Sequence, residues 1–352
     1  FIMAENSTHP LQNSLPEKIN NNKSNFTFWD NFPETQKDMI AINRIILKHV
    51  NTVPGLLGEA LKDTFAFPGK MLRPACVILF GSFGPNAHEK RKELQKIATS
   101  IETLHNATLI HDDIIDESSM RHGRPSIQTK YGKHIAVYAG DYLFALSLTL
   151  LSENAQSLHS VIADGKTMQN ILVGETEQYN NAYNINISEK EYLDQIKGKT
   201  GVLFGLACFI GAYESGLKVT KALKAKKFGE YLGKAFQLRD DILDYTTTSS
   251  TFKKPVLLDV KDGIYSGPLI FALQNDSTGR LHELVKLGQD LTKEQLQEIE
   301  KMVNDLGGVK RAQKLADKYT DKALHNLQKH WPDNKTRQQL EELTNILLKR
   351  SY

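Results

Sequence analysis

The chain has 352 residues, of which 40% are hydrophobic and 24% are charged, so it can bury a large globular core. Its formal net charge of +3 is too small to favour nucleic acid as a partner. No apolar run approaches the roughly 20 residues that a transmembrane helix requires, so we expect no transmembrane segment.

Residues 1–32 have the composition of a flexible N-terminal arm, because proline and the polar run at 20–24 oppose regular structure. Four aromatic side chains are suited to docking this arm onto the body or onto a partner subunit: Phe26, Phe28, Trp29 and Phe32. The N-terminus shows no secretory signal pattern, and Cys76 and Cys208 lie in apolar settings that suit a reducing compartment. We therefore expect a cytoplasmic protein.

From residue 33 to residue 352 the apolar residues recur at helical spacing almost throughout. Ile97, Ile101 and Leu104, for example, follow one face of a helix. Proline is absent over 126–254, where the alternating pattern of strands is also missing. The sequence predicts one all-α domain, a large helical bundle over 33–352. Its later helices are expected near 264–275, 293–305, 308–328 and 335–350.

Two short stretches carry aspartates at positions i, i+1 and i+4: Asp112, Asp113 and Asp116, and Asp240, Asp241 and Asp244. Positions i and i+4 share a helical face, and apolar residues precede both stretches, which indicates helices that enter a core. Acidic clusters placed there require compensating cations. One copy alone would favour a solvated acidic face, but two copies favour a Mg²⁺–diphosphate site, since oxygen ligands suit this ion.

Basic side chains accompany the two acidic motifs. Lys70 and Arg73, expected one helical turn apart on one face, suit a grip on a phosphate. His105 lies two turns before the first motif on nearly the same face, although a single histidine is more often a core residue. Further candidates are the turn from Arg121 and His122 to Ser126, Lys199 beside Thr200, and Lys254. Together they supply cations for two diphosphates, one bound to metal ions and one bound by basic side chains alone.

These segments, in this order, make the chain resemble the trans-isoprenyl (polyprenyl) diphosphate synthases, and the similarity runs from about Phe67 to Leu273. Besides the two acidic motifs, the matching segments are Gly69–Pro74, His105, Arg121–Ser126, Ala139–Asp141, Gly174–Glu175 with Gln178, Lys199–Thr200, Phe236–Gln237, Lys254–Pro255, Asp259 and Asp262–Gly263.

The resemblance implies a helical bundle around a deep central cavity, usually in a homodimer. It implies three Mg²⁺ ions per active site once substrates are bound. Asp112, Asp116 and Asp240 would be direct ligands, with Asp113, Asp241 and Asp244 in supporting roles. Arg121, Lys199, Gln237 and Lys254 would hold an allylic diphosphate such as farnesyl diphosphate. Lys70, Arg73 and His105 would hold isopentenyl diphosphate.

The resemblance also implies the reaction, a head-to-tail condensation of isopentenyl diphosphate onto the allylic carbocation. Dipoles from Lys199–Thr200 and Gln237 would stabilise the positive charge. One departure concerns His122, which stands where the family usually has a second arginine. Since the charge of histidine depends on pH, we expect weaker binding of isopentenyl diphosphate without loss of activity.

Product length should follow the depth of the cavity. Ala107 and Thr108 are small at positions where short-chain family members carry bulky aromatic residues, so the growing chain is not stopped one turn below the site. Leu104 is a possible second barrier, and a facing helix within 160–172 should supply the floor. We expect an all-trans product longer than geranylgeranyl diphosphate.

Several alternatives remain open at this point. A geranylgeranyl or farnesyl diphosphate synthase would result if another helix closed the cavity early. A terpene cyclase would share the first acidic motif but would not need the second or the Lys70 and Arg73 site. A non-catalytic subunit of a heteromeric synthase would be expected to lack aspartates that are all present here. The chain could still be the catalytic subunit of such a heteromeric enzyme.

Overall fold

The computed structural model describes residues 23–246 and 257–348, and most of them are helical. The α-helices of these two ranges are α1 Pro33–Val50, α2 Gly55–Phe65, α3 Leu72–Gly81, α4 Arg91–Ile115, α5 Ile127–Tyr131, α6 Lys133–Asn154, α7 Leu158–Asn180, α8 Glu189–Ile196, α9 Val202–Glu214, α10 Val219–Thr246, α11 Leu258–Lys261, α12 Gly267–Gln274, α13 Arg280–Val285, α14 Lys293–Asp305, α15 Gly308–His330 and α16 Lys335–Leu348.

Three kinds of shorter element complete the described chain. Two-residue strands, β1 Met120–Arg121 and β2 Arg124–Pro125, pair antiparallel as a small hairpin. Short 3-10 helices form at Lys23–Trp29 and Gly288–Asp290, and a π-helical turn spans Lys197–Gly201. The all-α prediction is confirmed.

The bundle is arranged around a central row of helices. The most extensive packing joins α6 to α4, α9 to both α3 and α10, and α10 to α15. Apolar side chains from all of these helices form one continuous buried core. The row places α6 and α15 at opposite ends, with the carriers of the acidic motifs, α4 and α10, between them.

The later helices begin where local sequence signals place them. Thr292 and Gln295 form a reciprocal capping box at the start of α14, as Ser188 and Glu191 do at the start of α8. The helix expected near 264–275 starts only at Gly267, because Pro268 belongs in the first turn of a helix.

The segment that we expected to be a flexible arm is structured over its last ten residues. Phe26, Trp29 and Phe32 are all about 2% exposed or less and belong to the core, while residues 1–22 lie outside the described ranges. Gln36 holds the segment by donating hydrogen bonds to the Phe26 carbonyl (2.9 Å) and to Asp30 (2.7 Å). The division into an arm and a helical domain stays a prediction.

Among the described residues, α6 has a length and composition that would allow it to cross a membrane. Its most apolar window is 44% buried, and the helix packs lengthwise against α4. Ser147 on α6 also donates a hydrogen bond of 2.8 Å to the Ser100 carbonyl on α4. These contacts make α6 a helix of the bundle, with part of its apolar surface left exposed.

The crossing of α3 and α9 depends on a glycine. A Cβ atom at Gly211 would lie 2.2 Å from the Val77 carbonyl oxygen, so the two backbones can meet only without a side chain there. Buried Cys76 and Cys208 lie at the same helix pair and are both free thiols. This contact fixes α9, which follows directly after the π-helical turn.

We expect Gly211→Ala to lower the free energy of unfolding by about 2 kcal/mol or more, because the added methyl group forces α3 and α9 apart. Gly165→Ala is the matched control, since a Cβ atom there has no neighbour within 4 Å on its helix. That change should instead stabilise the protein by about 0.5–1 kcal/mol. Urea unfolding followed by circular dichroism measures both variants, and equal stability of the two would contradict the close helix crossing.

Candidate active site

The first acidic motif lies at the C-terminal end of α4, and the second lies close to the last described residue of α10. Asp112 and Asp113 belong to the last turn of α4, and Asp116 is its C-cap residue. The second motif ends at Asp244, two residues before Thr246, the last residue of α10 that the structure describes. The C-terminal end of a helix carries a partial negative charge, so carboxylates at the end of α4 add to an unfavourable potential. This arrangement calls for positive charge between the two helices.

We call the middle aspartate of each motif (Asp113 and Asp241) its inner aspartate and the other two its outer aspartates. The inner aspartate of the first motif is hydrogen-bonded within the protein through both carboxylate oxygens. Arg121 donates two parallel hydrogen bonds of 2.7 Å to the two carboxylate oxygens of Asp113, which is only 4% exposed. A bidentate pair of this kind fixes both partners in orientation as well as in charge. Asp113 therefore supports the site by positioning the β1–β2 hairpin, on which Arg121 lies.

The inner aspartate of the second motif is engaged in the same way by different residues. Asp241 accepts hydrogen bonds from the Tyr192 hydroxyl and from the Gln237 amide, the latter at 3.0 Å. Thr200 in turn donates to the Gln237 side-chain oxygen at 2.8 Å. Burial raises the pKa of Asp241, and the hydrogen bonds from Tyr192 and Gln237 and the charge of Lys199 oppose this shift. These two hydrogen bonds, from Thr200 to Gln237 and from Gln237 to Asp241, connect the π-helical turn to α10.

The outer aspartates of the first motif face α7. Tyr179 donates a hydrogen bond of 3.3 Å to Asp116, and Glu175 lies one turn earlier on the same helix. Burial and the Glu175 carboxylate raise the pKa of Asp112 to about 7, although Lys199 opposes the shift. Burial also raises the pKa of Glu175. The protein thus holds more negative charge here than its own cations neutralise.

Lys199 is the cation that lies between the two motifs. Burial lowers its pKa, but Glu175, Asp112, Asp116 and Asp241 together outweigh burial and raise it. The π-helical turn presents this residue, and the Val202 amide donates to the Lys197 carbonyl five residues earlier. A Cβ atom at Gly198 would lie 3.0 Å from Gly174, so the turn passes close against α7.

A second cationic group forms where α3 meets α4. Arg73 donates a hydrogen bond of 3.1 Å to Nε2 of His105 and lies 4.4 Å from the centre of the Phe204 ring. Because a guanidinium group can only donate, Nε2 is the acceptor and the His105 ring is neutral. Burial and the charges of Arg73 and Arg121 hold the pKa of His105 well below its usual value. His105 was expected among the cations, but it contributes a hydrogen-bonding group instead.

Burial lowers the pKa of Arg73 to about 10, and the Glu102 carboxylate nearby opposes this shift. Arg73 therefore stays charged at neutral pH. Its electrostatic interaction with Asp240 shows that it lies within reach of the second motif. The predicted residues Arg73 and His105 are thus brought together beside both acidic helices.

Lys70 is not on the same helix as Arg73, contrary to our expectation of one shared helical face. Met71 adopts a left-handed conformation (φ 53°) and α3 begins only at Leu72. The ring of Pro74 excludes a helical carbonyl four residues earlier, at Lys70. That carbonyl accepts a hydrogen bond of 2.8 Å from the Trp29 indole, and the Lys70 ammonium lies 5.4 Å from the centre of the Phe28 ring.

Two predicted residues lie at the edge of this arrangement. His122 and Gly123 both have positive φ (50° and 76°) and form the turn of the β1–β2 hairpin, as a two-residue hairpin turn of this type requires. His122 is exposed, and its charge contributes to the lowered pKa of His105, so it lies near that ring. Lys254 lies outside the described residues.

A cavity of about 880 Å³ opens beside the second motif. Its lining includes Lys199, Gln237, Asp240, Asp241 and Asp244. The aspartates of the first motif do not line it, although Asp112 and Asp116 interact electrostatically with Lys199, which does. In the described ranges no three histidine, cysteine or acidic side chains converge closely enough to hold a metal ion without other ligands.

The two small residues below the first motif face different neighbours. Ala107 is completely buried and follows the stripe of α4 that contacts α6, since Ser100 and His111 on this stripe meet Ser147 and Gly140. Thr108 is only half-buried and shares the face of His105 and Asp112. Thr108 is therefore the one of the two that lies on the side of the site, and Ala107 serves helix packing.

Three residues of the site were not assigned a role from the sequence. Glu175 adds charge to the first motif, Tyr179 binds Asp116, and Tyr192 binds Asp241. Glu175 belongs to the Gly174–Glu175 segment that matches the family in the sequence analysis, so its charge could have indicated a role in the site. Nothing in the sequence distinguishes Tyr192 from an ordinary core tyrosine.

Comparison with known proteins gives a consistent result. Residues 54–306 match the family model described as polyprenyl synthetase. The chain is 33% identical over 316 residues to heptaprenyl diphosphate synthase component 2 of Geobacillus stearothermophilus, covering 90% of this chain and 96% of that protein.

Two solved structures are similar over almost the whole described fold. A geranylgeranyl pyrophosphate synthase of Lactobacillus brevis superposes with a TM-score of 0.83 and 34% identity, covering 92% of this chain and 99% of that one. A heptaprenyl diphosphate synthase of Staphylococcus aureus superposes with a TM-score of 0.84 and 26% identity, covering 90% and 99%.

We expect Asp112→Asn to stabilise the metal-free protein. The raised pKa means that protonated Asp112 favours folding below about pH 4, and that this contribution is lost as the pH rises through about 7. The asparagine variant should therefore gain about 1–2 kcal/mol over the wild type above about pH 8 and little near pH 4. Thermal unfolding in chelator across this pH range measures the difference.

Asp116→Asn is the matched control, because its carboxylate is exposed and should affect stability much less. A gain for Asp112→Asn that persisted unchanged near about pH 4 would contradict the burial of its charge.

Proposed function

The chain belongs to the polyprenyl synthetase family and is a prenyltransferase, and from this we propose which side chains perform the reaction and on what substrates. The reaction is the head-to-tail condensation of isopentenyl diphosphate with an allylic diphosphate, farnesyl diphosphate for example, to give an all-trans polyprenyl diphosphate. The observation that carries the proposal is that the two acidic motifs have similar arrangements. Each has an inner aspartate that is held by the protein. Asp112 and Asp116 interact electrostatically with Lys199, and Asp240 and Asp244 line the same cavity as Lys199.

The outer aspartates fit Mg²⁺ bound together with a diphosphate. Asp112, Asp116 and Asp240 would be the direct ligands, and Asp244 would assist. Among the described residues too few acidic groups converge to hold an ion alone, but the raised pKa of Asp112 indicates charge that a cation would compensate. Diphosphate oxygens and water would complete the octahedral ligand set. Bound Mg²⁺ supplies neutralisation of the charge on the diphosphate leaving group.

The two groups of cations would bind different substrates. Lys199 lies between the acidic motifs and would bind the allylic diphosphate, with Arg121 and Lys254 as further contacts. Arg73 and Lys70 would bind isopentenyl diphosphate, and neutral His105 would orient Arg73 by accepting its hydrogen bond. His122, at the tip of the hairpin, would add charge only at acidic pH.

The positions of these groups support the proposed steps. The allylic C–O bond ionises while Lys199 and Arg121 hold the departing diphosphate. The oxygen atoms of Thr200 and Gln237, which are aligned by their hydrogen bond, would stabilise the allylic cation. The double bond of isopentenyl diphosphate, held close by Arg73 and Lys70, forms the new C–C bond. The proton lost afterwards passes to the departing pyrophosphate.

We expect a product longer than geranylgeranyl diphosphate. Thr108 is a small residue on the site face of α4 one turn below Asp112, and Leu104 follows one turn further along this face. Within the proposed floor segment 160–172, Asp164, Thr167 and Ile171 are buried. Two of the similar proteins are named heptaprenyl diphosphate synthases, and the third is a geranylgeranyl pyrophosphate synthase. The assay below distinguishes these lengths.

Subunit assembly is supported by apolar surface on α6 and α7. These helices expose large apolar side chains, among them Tyr138, Leu148, Leu158, Ile162 and Leu172. Contiguous apolar surface of this kind indicates a protein interface. We propose a homodimer through this surface, in the cytoplasm. A heteromeric enzyme is the alternative, because one relative is named as component 2 of its synthase.

Incubation of the purified protein with Mg²⁺, farnesyl diphosphate and labelled isopentenyl diphosphate should give a ladder of products extending beyond geranylgeranyl diphosphate. Asp112→Asn should reduce the rate by about 100-fold or more, since it removes a metal ligand. Asp305→Asn, an exposed aspartate on α14, should leave the rate unchanged. A ladder that stops at geranylgeranyl diphosphate would keep the enzyme class and refute the proposed length. Elongation only after addition of cell extract would indicate a missing subunit.

Thr108→Phe should shorten the main product by at least about one isoprene unit, because the ring would fill one helical turn of about 5.4 Å below Asp112. Thr52→Phe places the same ring on an exposed threonine after α1 and should leave product length unchanged. Chromatography of the dephosphorylated products measures both variants. An unchanged length in Thr108→Phe would show that Thr108 does not face the growing chain.

A further inference from the structure

A second large cavity, of about 1320 Å³, lies on the outside of the bundle between the first half of α10 and α15. It shares no lining residue with the cavity of the candidate active site. The two helices run antiparallel along it, as the contacts of Lys221 with His330 and of Tyr231 with Tyr319 show. We call it the basic groove, defined by Lys224, Lys227, Lys314, Lys318, Lys322 and Lys329.

The basic groove carries the positive charge of the molecule. Its lining contains six lysines and one arginine against three acidic residues, a net charge of +4. The whole chain has a net charge of +3, so the remainder carries −1. Charge of this kind, concentrated on one face of a nearly neutral protein, creates a local potential that attracts anions.

Three lysines of α15 lie close enough to repel one another, although Asp317 and Asp321 lie on the same helix. Lys314, Lys318 and Lys322 recur at every fourth residue, about 6 Å apart along the helix, and like charges at this spacing destabilise a helix. None of these three forms a salt bridge within residues 23–246 and 257–348. Burial and neighbouring lysines also lower the pKa of His330, at one end of the groove. The sequence keeps these charges together despite their repulsion.

The kind of cation indicates the kind of ligand. The one arginine, Arg311, is already paired with Glu189 at 2.7 Å. The remaining cations are lysines, whose compact and flexible charges suit diffuse attraction to many anionic headgroups better than bidentate recognition of one carboxylate or phosphate. Val219 and Leu223 at the start of α10 are 44% and 50% exposed beside these lysines. Exposed apolar residues next to lysines are typical of surfaces that contact a membrane interface.

We propose that the basic groove docks the protein onto an anionic phospholipid bilayer. The groove and the exposed apolar helices α6 and α7 occupy different parts of the molecule, so docking leaves the surface assigned to subunit assembly free. Docking at a membrane would also suit an enzyme whose product is too apolar for water, an advantage that rests on the proposed function. The docking itself depends only on charge and exposure.

The full-length protein should co-sediment with vesicles of phosphatidylcholine mixed with phosphatidylglycerol and not with vesicles of phosphatidylcholine alone. Binding should decrease as sodium chloride is raised from about 0.1 M to about 1 M. The triple variant Lys314→Glu, Lys318→Glu and Lys322→Glu should lower the partition coefficient on the anionic vesicles by about tenfold or more. The triple variant Lys314→Gln, Lys318→Gln and Lys322→Gln should show a smaller loss of binding. It keeps the test valid if the charge-reversed protein fails to fold.

The matched control reverses three exposed cations on α1, with Lys37→Glu, Arg44→Glu and Lys48→Glu. It has the same change in net charge and should keep at least about half of the binding. Prenyl transfer to a soluble allylic substrate should be the same in the wild type and both triple variants, which separates a failure of docking from a failure of the proposed reaction.

Equal loss of binding in the groove variant and the α1 variant would overturn the proposal, since net charge alone would then explain it. Absence of binding to anionic vesicles would overturn it as well. Binding to immobilised poly-glutamate without binding to vesicles would assign the groove to an acidic protein partner instead.

Discussion

Repulsion between carboxylates on α4 and α10 is the constraint on which the arrangement of the site depends. Each of these helices carries three aspartates close to its last described residues, the helix dipole at the end of α4 is also negative, and α7 adds Glu175. Lys199 and Arg121 compensate part of this charge from the protein's own residues. The inner aspartates are neutralised or hydrogen-bonded by the protein, whereas the outer ones keep charge for a ligand. A site built in this way binds cations and polyphosphate together better than either alone.

Much of this division follows from the sequence. Residues i and i+4 share a helical face and i+1 points about 100° away, so the inner aspartate of each motif must meet a neighbouring helix or hairpin. The residues that bind the inner aspartates could not be predicted from the sequence. Arg121 reaches Asp113 from strand β1 of the hairpin, and Tyr192 reaches Asp241 from another helix. Such contacts depend on tertiary packing and have no local pattern.

Local chemistry explains the other differences from expectation. Pro74 delays the start of α3, so Lys70 extends from a loop, where its backbone is held by Trp29. The segment that supplies Trp29 looked unstructured because its composition is polar overall, while its few aromatic residues bury deeply. An N-terminal segment with the composition of a flexible arm thus holds the backbone of Lys70, one of the expected substrate cations. The neutrality of His105 is likewise a result of packing, since it follows from burial beside two arginines.

The π-helical turn at Lys197–Gly201 has a consequence for how this region tolerates changes in length. Its hydrogen bond from Val202 to Lys197 spans five residues where an α-helix spans four, so the turn holds one residue more than a continuous helix would. Deleting a single residue there would let α8 and α9 join as one regular helix. The segment before the deletion would then rotate by about 100° about the helix axis relative to the segment after it. Since Gly211 locks α9 against α3, the rotation would fall on α8 and separate Tyr192 from Asp241. Relatives of this chain should therefore vary in length before or after this turn, but not within it.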